Sequence, residues 1–545
     1  MSENKPAMLL SGKALSPGLG MGATFIYRDV LTRFDEFYDI AESQVEEELK
    51  RLEKAIRRIS DDLNVLIGRV KREMDSDLSG VFQAHIAMVQ DASLKAEVEK
   101  EIRGELVSAG AAVRTVFRRW ERRFRAMEAE VARQKGDDMR DLARRLVSSL
   151  AGIRSHGLEN LPHGSVLVAN RLLPSDTVFL SFRGASAAIL EAGGAGSHAA
   201  LFAREIGLPC VAGLPGVVEA VPPGALALVD ADAAEVIVNP SREQVQAFES
   251  KCRLQKLAAS EALVHVHEPA VTKDGRVITV LANVAGPDDT KKAMENGAAG
   301  VGLYRIEQAY LGHRAPPEAA ELLEEMQKTL APVKGLPVYV RLLDVGADKP
   351  LPFMESFRES NPSLGRRGIR FLLEYPDLLQ TQLDALLRLS AGFDLNVLVP
   401  MVTLPGDMQK VRDLLLKSAA RLGISPAPKL GAMIETPAAA LAAADIVQYA
   451  EFLSFGTNDL TQYSFAADRE NAAVDAYFDD TRDVIFRLLR IVHDDVPHIP
   501  LSICGELAGR PKYTARLLEC GIVSLSVAPP LIPSIKEAIR KCGGA

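Results

Sequence analysis

The sequence predicts an α/β protein: a mixed α/β domain interrupted by an inserted helical bundle, followed by a (β/α)8 TIM barrel. Three observations predict it. From residue 265 onward, short apolar runs alternate with helical segments, and eight such runs fall at the spacing of a closed barrel. Between residues 31 and 150 there is no proline, and charges of both signs interleave with apolar residues at helical spacing, as in Val45-Glu46-Glu47-Glu48-Leu49-Lys50-Arg51-Leu52. On either side of that stretch, in 1–30 and 151–240, the texture is short strands and turns. An open doubly wound sheet is the alternative for the second half, but the regular count favours closure.

Composition sets the class. The chain has 545 residues, 47% of them hydrophobic and 25% charged, with a net charge of −8. That supports two to four domains with real cores, and it excludes both a disordered chain and a basic nucleic-acid surface. No apolar run approaches a membrane span, so no membrane insertion is expected. The start, Met1-Ser2-Glu3-Asn4-Lys5, is too polar for a cleaved leader. The cysteines (Cys210, Cys252, Cys504, Cys520 and Cys542) are odd in number and show no metal-type spacing. A reduced, cytoplasmic location is expected.

Taken in order, Ala14–Gly18 and Ala23–Tyr27 open as strands with a turn between them. Residues 31–150 form the helical insert. Strands resume at Gly164–Ala169, Ala187–Glu191, Ala225–Asp230 and Glu235–Asn239. A polar helix over 241–264 reads as a linker. The barrel strands are then expected at Val277–Val284, Ala299–Tyr304, Val338–Leu343, Asn396–Met401, Leu430–Ile434, Phe452–Phe455, Leu501–Cys504 and Val523–Val527.

Two places carry chemistry. In the α/β domain, Gly193-Gly194-Ala195-Gly196-Ser197-His198 precedes the apolar-periodic run Ala199–Ile206. Glycines allow close backbone approach to an anion, and a helix N-terminus offers unpaired N–H groups. A histidine there can carry a phosphoryl group, although taken alone such a turn is as readily a plain strand–helix junction.

In the barrel, polar residues fall at the C-terminal ends of strands, where a barrel builds its mouth. Arg305 ends the second run and Arg341 lies within the third, with Asp344 and Lys349 beyond it. Glu435 ends the fifth, Asn458 and Asp459 follow the sixth, and Cys504 ends the seventh. One arginine or glutamate at a strand end is usually a structural ion pair, but five strands delivering such groups to one rim point to a site. Arg305, Arg341 and Arg469 offer forks for phosphate and carboxylate. Glu435 and Asp459 are hard oxygen ligands suited to Mg2+, which takes the rest of its shell from water and substrate. Cys504 is either a small core residue or a thiol able to protonate carbon.

The residues then resemble a known family. The string from Gly193 through Arg204 to Gly213 is similar to the phosphohistidine signature of the phosphoenolpyruvate (PEP)-utilising enzymes. So are Gly300–Glu307, Arg341–Lys349, Asn361–Arg367, Ser454–Tyr463 and Cys504–Gly509 in the barrel, with Ser16-Pro17-Gly18 and Gln83–Asp91 earlier. Their order over essentially the whole chain resembles the Enzyme I group, the PEP–protein phosphotransferases.

The resemblance implies that the α/β domain swivels and that His198 takes a phosphoryl group from PEP. It implies that Arg305, Arg341, Arg367, Arg469, Lys349, Asn458 and Asp459 hold PEP, and that Glu435 and Asp459 hold Mg2+. Cys504 would then protonate the enolate to pyruvate. The helical insert would dock the phosphocarrier HPr or an HPr-like protein, and the barrels would join a homodimer.

Departures from the usual pattern are Gly196, Ile306, Leu342, Ala347, Arg366 and the turn Ala528-Pro529-Pro530. Gln83 and Gln90 stand where acidic residues are usual, which points toward a variant phosphocarrier. His85 either faces that partner or packs between helices. The dikinase and synthase branches of the family need an ATP-binding domain, for which there is no room. The remaining alternative is a catalytically impaired regulatory homologue acting as a binding protein; it would lack His198, Glu435, Asp459 or Cys504, and all four are present.

Overall fold

The computed structural model describes residues 7–28, 39–73, 78–125, 130–152, 157–193, 203–204, 206–311, 315–346, 351, 353, 359, 361–468 and 474–543. The chain separates into two compact units, Met1–Arg253 and Leu254–Ala545.

The first unit is built on an eight-stranded sheet. Its strands are β1 (Met8–Ser11), β2 (Lys13–Ser16), β3 (Leu19–Tyr27), β4 (Val166–Ala169), β5 (Ala187–Leu190), β6 (Cys210–Ala212), β7 (Leu226–Asp230) and β8 (Glu235–Val238). The spatial order is β1-β8-β7-β3-β4-β5-β6-β2. Pairings β3–β4, β4–β5 and β5–β6 are parallel, and the flanking ones are antiparallel. Alternation along a strand sends neighbours to opposite faces. Leu167, Ala169, Ala188 and Leu190 build one buried apolar cluster, while Val166, Val168, Ala187 and Ile189 build the other. Covered on both faces, β4 and β5 read as continuous apolar runs rather than alternating ones.

Between β3 and β4 the chain makes α1 (Val45–Glu73), α2 (Leu78–Val89), α3 (Ala92–Glu105), α4 (Ala109–Arg125) and α5 (Glu130–Leu150). Their apolar stripes meet at Leu52, Leu63, Phe82, Ile102, Val116 and Leu142. Asp91 caps α3 by accepting from the Leu94 N–H at 2.9 Å. His85 on α2 is fully buried and shares a 3.1 Å hydrogen bond with Asp138 on α5. It packs helices, and the partner-facing option is withdrawn.

The second unit is a closed barrel preceded by the short strand β9 (Ala270–Val271). Its strands are β10 (Val277–Val284), β11 (Val301–Arg305), β12 (Pro337–Arg341), β13 (Asp394–Val402), β14 (Lys429–Ile434), β15 (Phe452–Phe455), β16 (Leu501–Ile503) and β17 (Ser524–Val527). Each pairs in parallel with the next, and β10 closes on both β11 and β17. Leu303, Leu398, Met433 and Phe452 form a small apolar cluster with Cys504. A far larger cluster joins the strands to the helices outside.

The sequence reading placed Arg341 within its strand and Glu435 and Cys504 at strand ends. Arg341 instead closes β12, while Glu435 and Cys504 are the first residues past β14 and β16.

Candidate active site

The barrel's polar residues fall at the C-terminal ends of its strands or in the turns that follow them. Arg305 is the direct partner of Arg341 across β11 and β12. On the other side Ile434 pairs with Phe455, which pairs with Ile503. The first residues past those strands are Glu435, Gly456 and Cys504. Asn458 and Asp459 then lie in the first turn of the helix Thr457–Phe465.

Arginine and carboxylate alternate across this rim. Arg341 donates from Nη2 to Glu307 Oε1 at 2.7 Å, and its Nη1 lies 3.0 Å from Asp344 Oδ2. Glu307 also accepts the Asp344 N–H at 3.1 Å, so it fixes both partners. Arg367 meets Asp344 at 3.2 and 3.3 Å, and grips Asp459 with a two-pronged fork at 2.6 and 3.0 Å. Burial works against both guanidinium charges, yet the surrounding carboxylates hold them charged, above the ordinary arginine range. Arg305 differs: part of the residue is exposed and among the described residues no hydrogen bond or salt bridge engages it, while desolvation among its neighbours and the nearby Arg341 charge pull its guanidinium below the ordinary arginine value.

Glu435 is buried, and its Oε2 accepts the Met401 N–H at 2.7 Å. Met401 reaches that position with φ +55°, a costly conformation for a side-chain-bearing residue. Gly456 leaves the other oxygen room, since a Cβ there would lie 2.4 Å from Glu435 Oε1. Burial and the carboxylates of Asp459 and Asp344 push the Glu435 carboxyl up to about 8, despite Arg341 and Arg367.

The donor set fits Mg2+: two carboxylates on neighbouring elements, with the rest of the shell left for water and substrate. Among the described residues no group of three or more ligand side chains gathers into a metal cluster.

Cys504 is buried beneath the rim. Its thiol accepts from Ser454 Oγ at 3.5 Å and donates to the Phe455 carbonyl at 3.6 Å. Burial pushes the thiol up to about 11, so it stays protonated near neutrality, more firmly than an ordinary cysteine. Asn458 accepts the Glu506 N–H at 3.0 Å.

Lys349, Arg469 and His198 lie outside the described residues. The flanks of the histidine segment are described. Arg204 donates to the Leu15 carbonyl at 2.8 Å, and Ser16 Oγ to the Ala203 carbonyl at 3.3 Å. These contacts give the early Ser16-Pro17-Gly18 string a purpose: it anchors the signature's tail to β2. Gly18, at φ +121°, donates its N–H to Asp232 at 2.8 Å.

The comparisons fit this geometry. Residues 259–543 match the PEP-binding domain of PEP-utilising enzymes, residues 161–234 their mobile domain and residues 11–135 their N-terminal domain. The chain is 33% identical to the phosphoenolpyruvate-protein phosphotransferase of Priestia megaterium, over 92% of this chain and 89% of that one. It belongs to the PEP–protein phosphotransferase family of PEP-utilising enzymes. The relative from Listeria innocua is 31% identical over 98% of this chain and 94% of its own length. The protein is thus a phosphotransferase, an enzyme of the transferase class.

Of the departures from this phosphotransferase family's pattern, Gly196 and Ala347 lie outside the described residues, while Ile306, Leu342 and Arg366 can be placed. Ile306 and Leu342 are buried in the apolar layer outside the strands, so the missing hydroxyls are replaced by core packing. Arg366 pairs with Glu374 at 3.3 Å. Sequence reasoning missed two contributors. Glu307 was readable, two residues beyond Arg305 in the same loop. The Met401 amide was not, since a backbone N–H carries no residue signature.

Proposed function

We propose that this enzyme transfers the phosphoryl group of PEP to its own His198 and then to a histidine of HPr or an HPr-like phosphocarrier. The observation that carries this reading is the linked set at the barrel's strand ends, in which Arg341 meets Asp344, Arg367 joins Asp344 to Asp459, and Glu435 and Cys504 lie within electrostatic reach of Arg341. Arg305, Arg341, Arg367, Arg469, Lys349 and Asn458 hold the phosphate and carboxylate of PEP. Glu435 and Asp459 would hold Mg2+, which neutralises phosphate oxygens when bound.

In the first step the P–N bond to the His198 imidazole forms as the P–O bond to the enol oxygen breaks. This is a displacement served mainly by positioning and charge. Cys504 gives its thiol proton to the enolate carbon, releasing pyruvate, and recovers a proton from solvent. Phosphohistidine then passes its phosphoryl group to the carrier on the helical insert of residues 31–150, the α/β body being 1–30 with 151–240. The helix of 241–264 leads to the barrel of 265–545. The enzyme works in the cytoplasm as a homodimer joined through the barrels.

Intact mass after incubation with PEP and Mg2+, beside His198→Ala, tests the loading step. One acid-labile phosphoryl group on the wild type alone is expected. No gain and no pyruvate would leave the regulatory-homologue reading in its place.

A further inference from the structure

We propose that Arg367 is a resident counter-cation that competes with the divalent metal for Asp459. Its guanidinium occupies Asp459 until the metal arrives and is then released toward the anionic substrate. This rests on the reading that Glu435 and Asp459 bind the metal.

Four acids (Glu307, Asp344, Glu435 and Asp459) are buried or half-buried at this rim. Buried carboxylates must find a cation or a proton. Arg341 is engaged with Glu307 and Asp344, and Arg367 is the cation that meets Asp459 directly. The fork meets both oxygens of Asp459, at 2.6 and 3.0 Å, while Arg367 keeps a second hold on Asp344 at 3.2 Å. Tyr463 lies 3.4 Å from Nη1 and turns its own hydroxyl proton to the Ser363 carbonyl.

Two cations on one buried carboxylate repel each other, and screening by water is weak there. Asp459 therefore cannot serve a guanidinium fork and a divalent ion with equal strength. Asp344 gives Arg367 a place to stay once Asp459 is lost, so the exchange leaves no charge stranded. The freed prongs then face the site with hydrogen-bond donors for a phosphate or carboxylate. Cation entry in this way creates part of the anion-binding surface.

The test is Mn2+ binding by calorimetry to the metal-stripped full chain without PEP. It compares wild type, Arg367→Lys, Arg367→Gln and Asp459→Asn, each first shown to keep the wild-type melting profile. Lysine keeps the charge but loses the fork; glutamine loses both and stands in should the lysine variant not fold. Arg367→Lys is expected to bind Mn2+ about tenfold more tightly than wild type, with Asp459→Asn binding far more weakly. Weaker or unchanged binding in both Arg367 variants, with Asp459→Asn still impaired, overturns the competition and leaves the metal site standing. Equal binding by wild type and Asp459→Asn, or none by wild type, removes the metal site and the proposal with it.

Discussion

At the scale of single residues, the site depends on atoms with little room to move. Cys504 is protonated because it is buried, and serine at that position keeps the volume but loses an acid of suitable strength. General acid catalysis is worth about 10²–10⁴-fold. Cys504→Ser should therefore slow pyruvate formation by about 10²-fold or more in a steady-state assay while Mn2+ binding stays as in wild type; an unimpaired rate would remove the thiol from the mechanism. Gly456 is constrained by space rather than by φ. Ala there presses a methyl onto Glu435 Oε1, an overpacking that costs about 1–3 kcal/mol. Gly456→Ala should lower both the barrel's Tm and its Mn2+ affinity, and retention of both would mean that Glu435 moves freely. Glu307→Gln keeps shape but removes the charge that fixes Arg341. PEP should then show a KM raised by about tenfold, as an arginine set loosely enough to lose part of its charge-assisted bonding would give. Rescue by Glu307→Asp is not expected, because the shorter side chain cannot reach both Arg341 and the Asp344 amide.

At the scale of elements, α5 is fastened to the sheet by a buried ionic network. Arg144 donates to Asp141 at 2.9 Å, Ser175 at 2.9 Å, Asp176 at 3.0 Å and the Tyr27 hydroxyl at 2.9 Å. These partners join α5, β3 and the start of the helix Pro174–Arg183. Burial opposes the Asp141 charge, but Arg144, Arg145, His85 and Ser175 together hold its carboxyl well below the usual carboxylate range. Folding thus lowers this pKa. The stabilisation is fully present above the unfolded value near ~3.9 and is lost as pH falls below it through the folded value. Asp141→Asn leaves Arg144 short of one buried partner and should cost about 3–5 kcal/mol at pH 7. The Tm gap between wild type and variant should narrow as the pH falls below ~3.9, and a gap constant with pH would show that the loss is only steric. None of this was legible from the chain. Asp141 and Arg144 lie in a charge-laced helix and Asp176 in the first turn of another, positions where charges are usually solvated. The strands were legible, because parallel strands covered on both faces are uninterrupted apolar runs. Boundary errors, as at Arg341 and Cys504, arose where apolar character continues past the last ladder bond.

At the scale of the whole molecule, the candidate site was readable as a set before any member was readable alone. Closure of eight parallel strands sets all their C-terminal ends around one rim, so polar residues scattered from 305 to 504 needed only a correct strand count to converge. The count could not show which arginine holds which acid. That depends on loop paths through Asp344 and Arg367, and on the left-handed Met401. The two units each enclose buried apolar clusters of their own, which has a thermodynamic consequence. Ligands that bind only one folded unit raise that unit's unfolding free energy by RT ln(1 + [L]/Kd), about 2.7 kcal/mol at a hundredfold excess over Kd. Calorimetric scans of the full chain should resolve two transitions. Mn2+ should raise one, and Asp141→Asn should lower the other without touching the first. A single transition moved by both perturbations would mean that the units unfold together, and metal binding at the barrel would then stabilise the half of the chain that carries His198 as well.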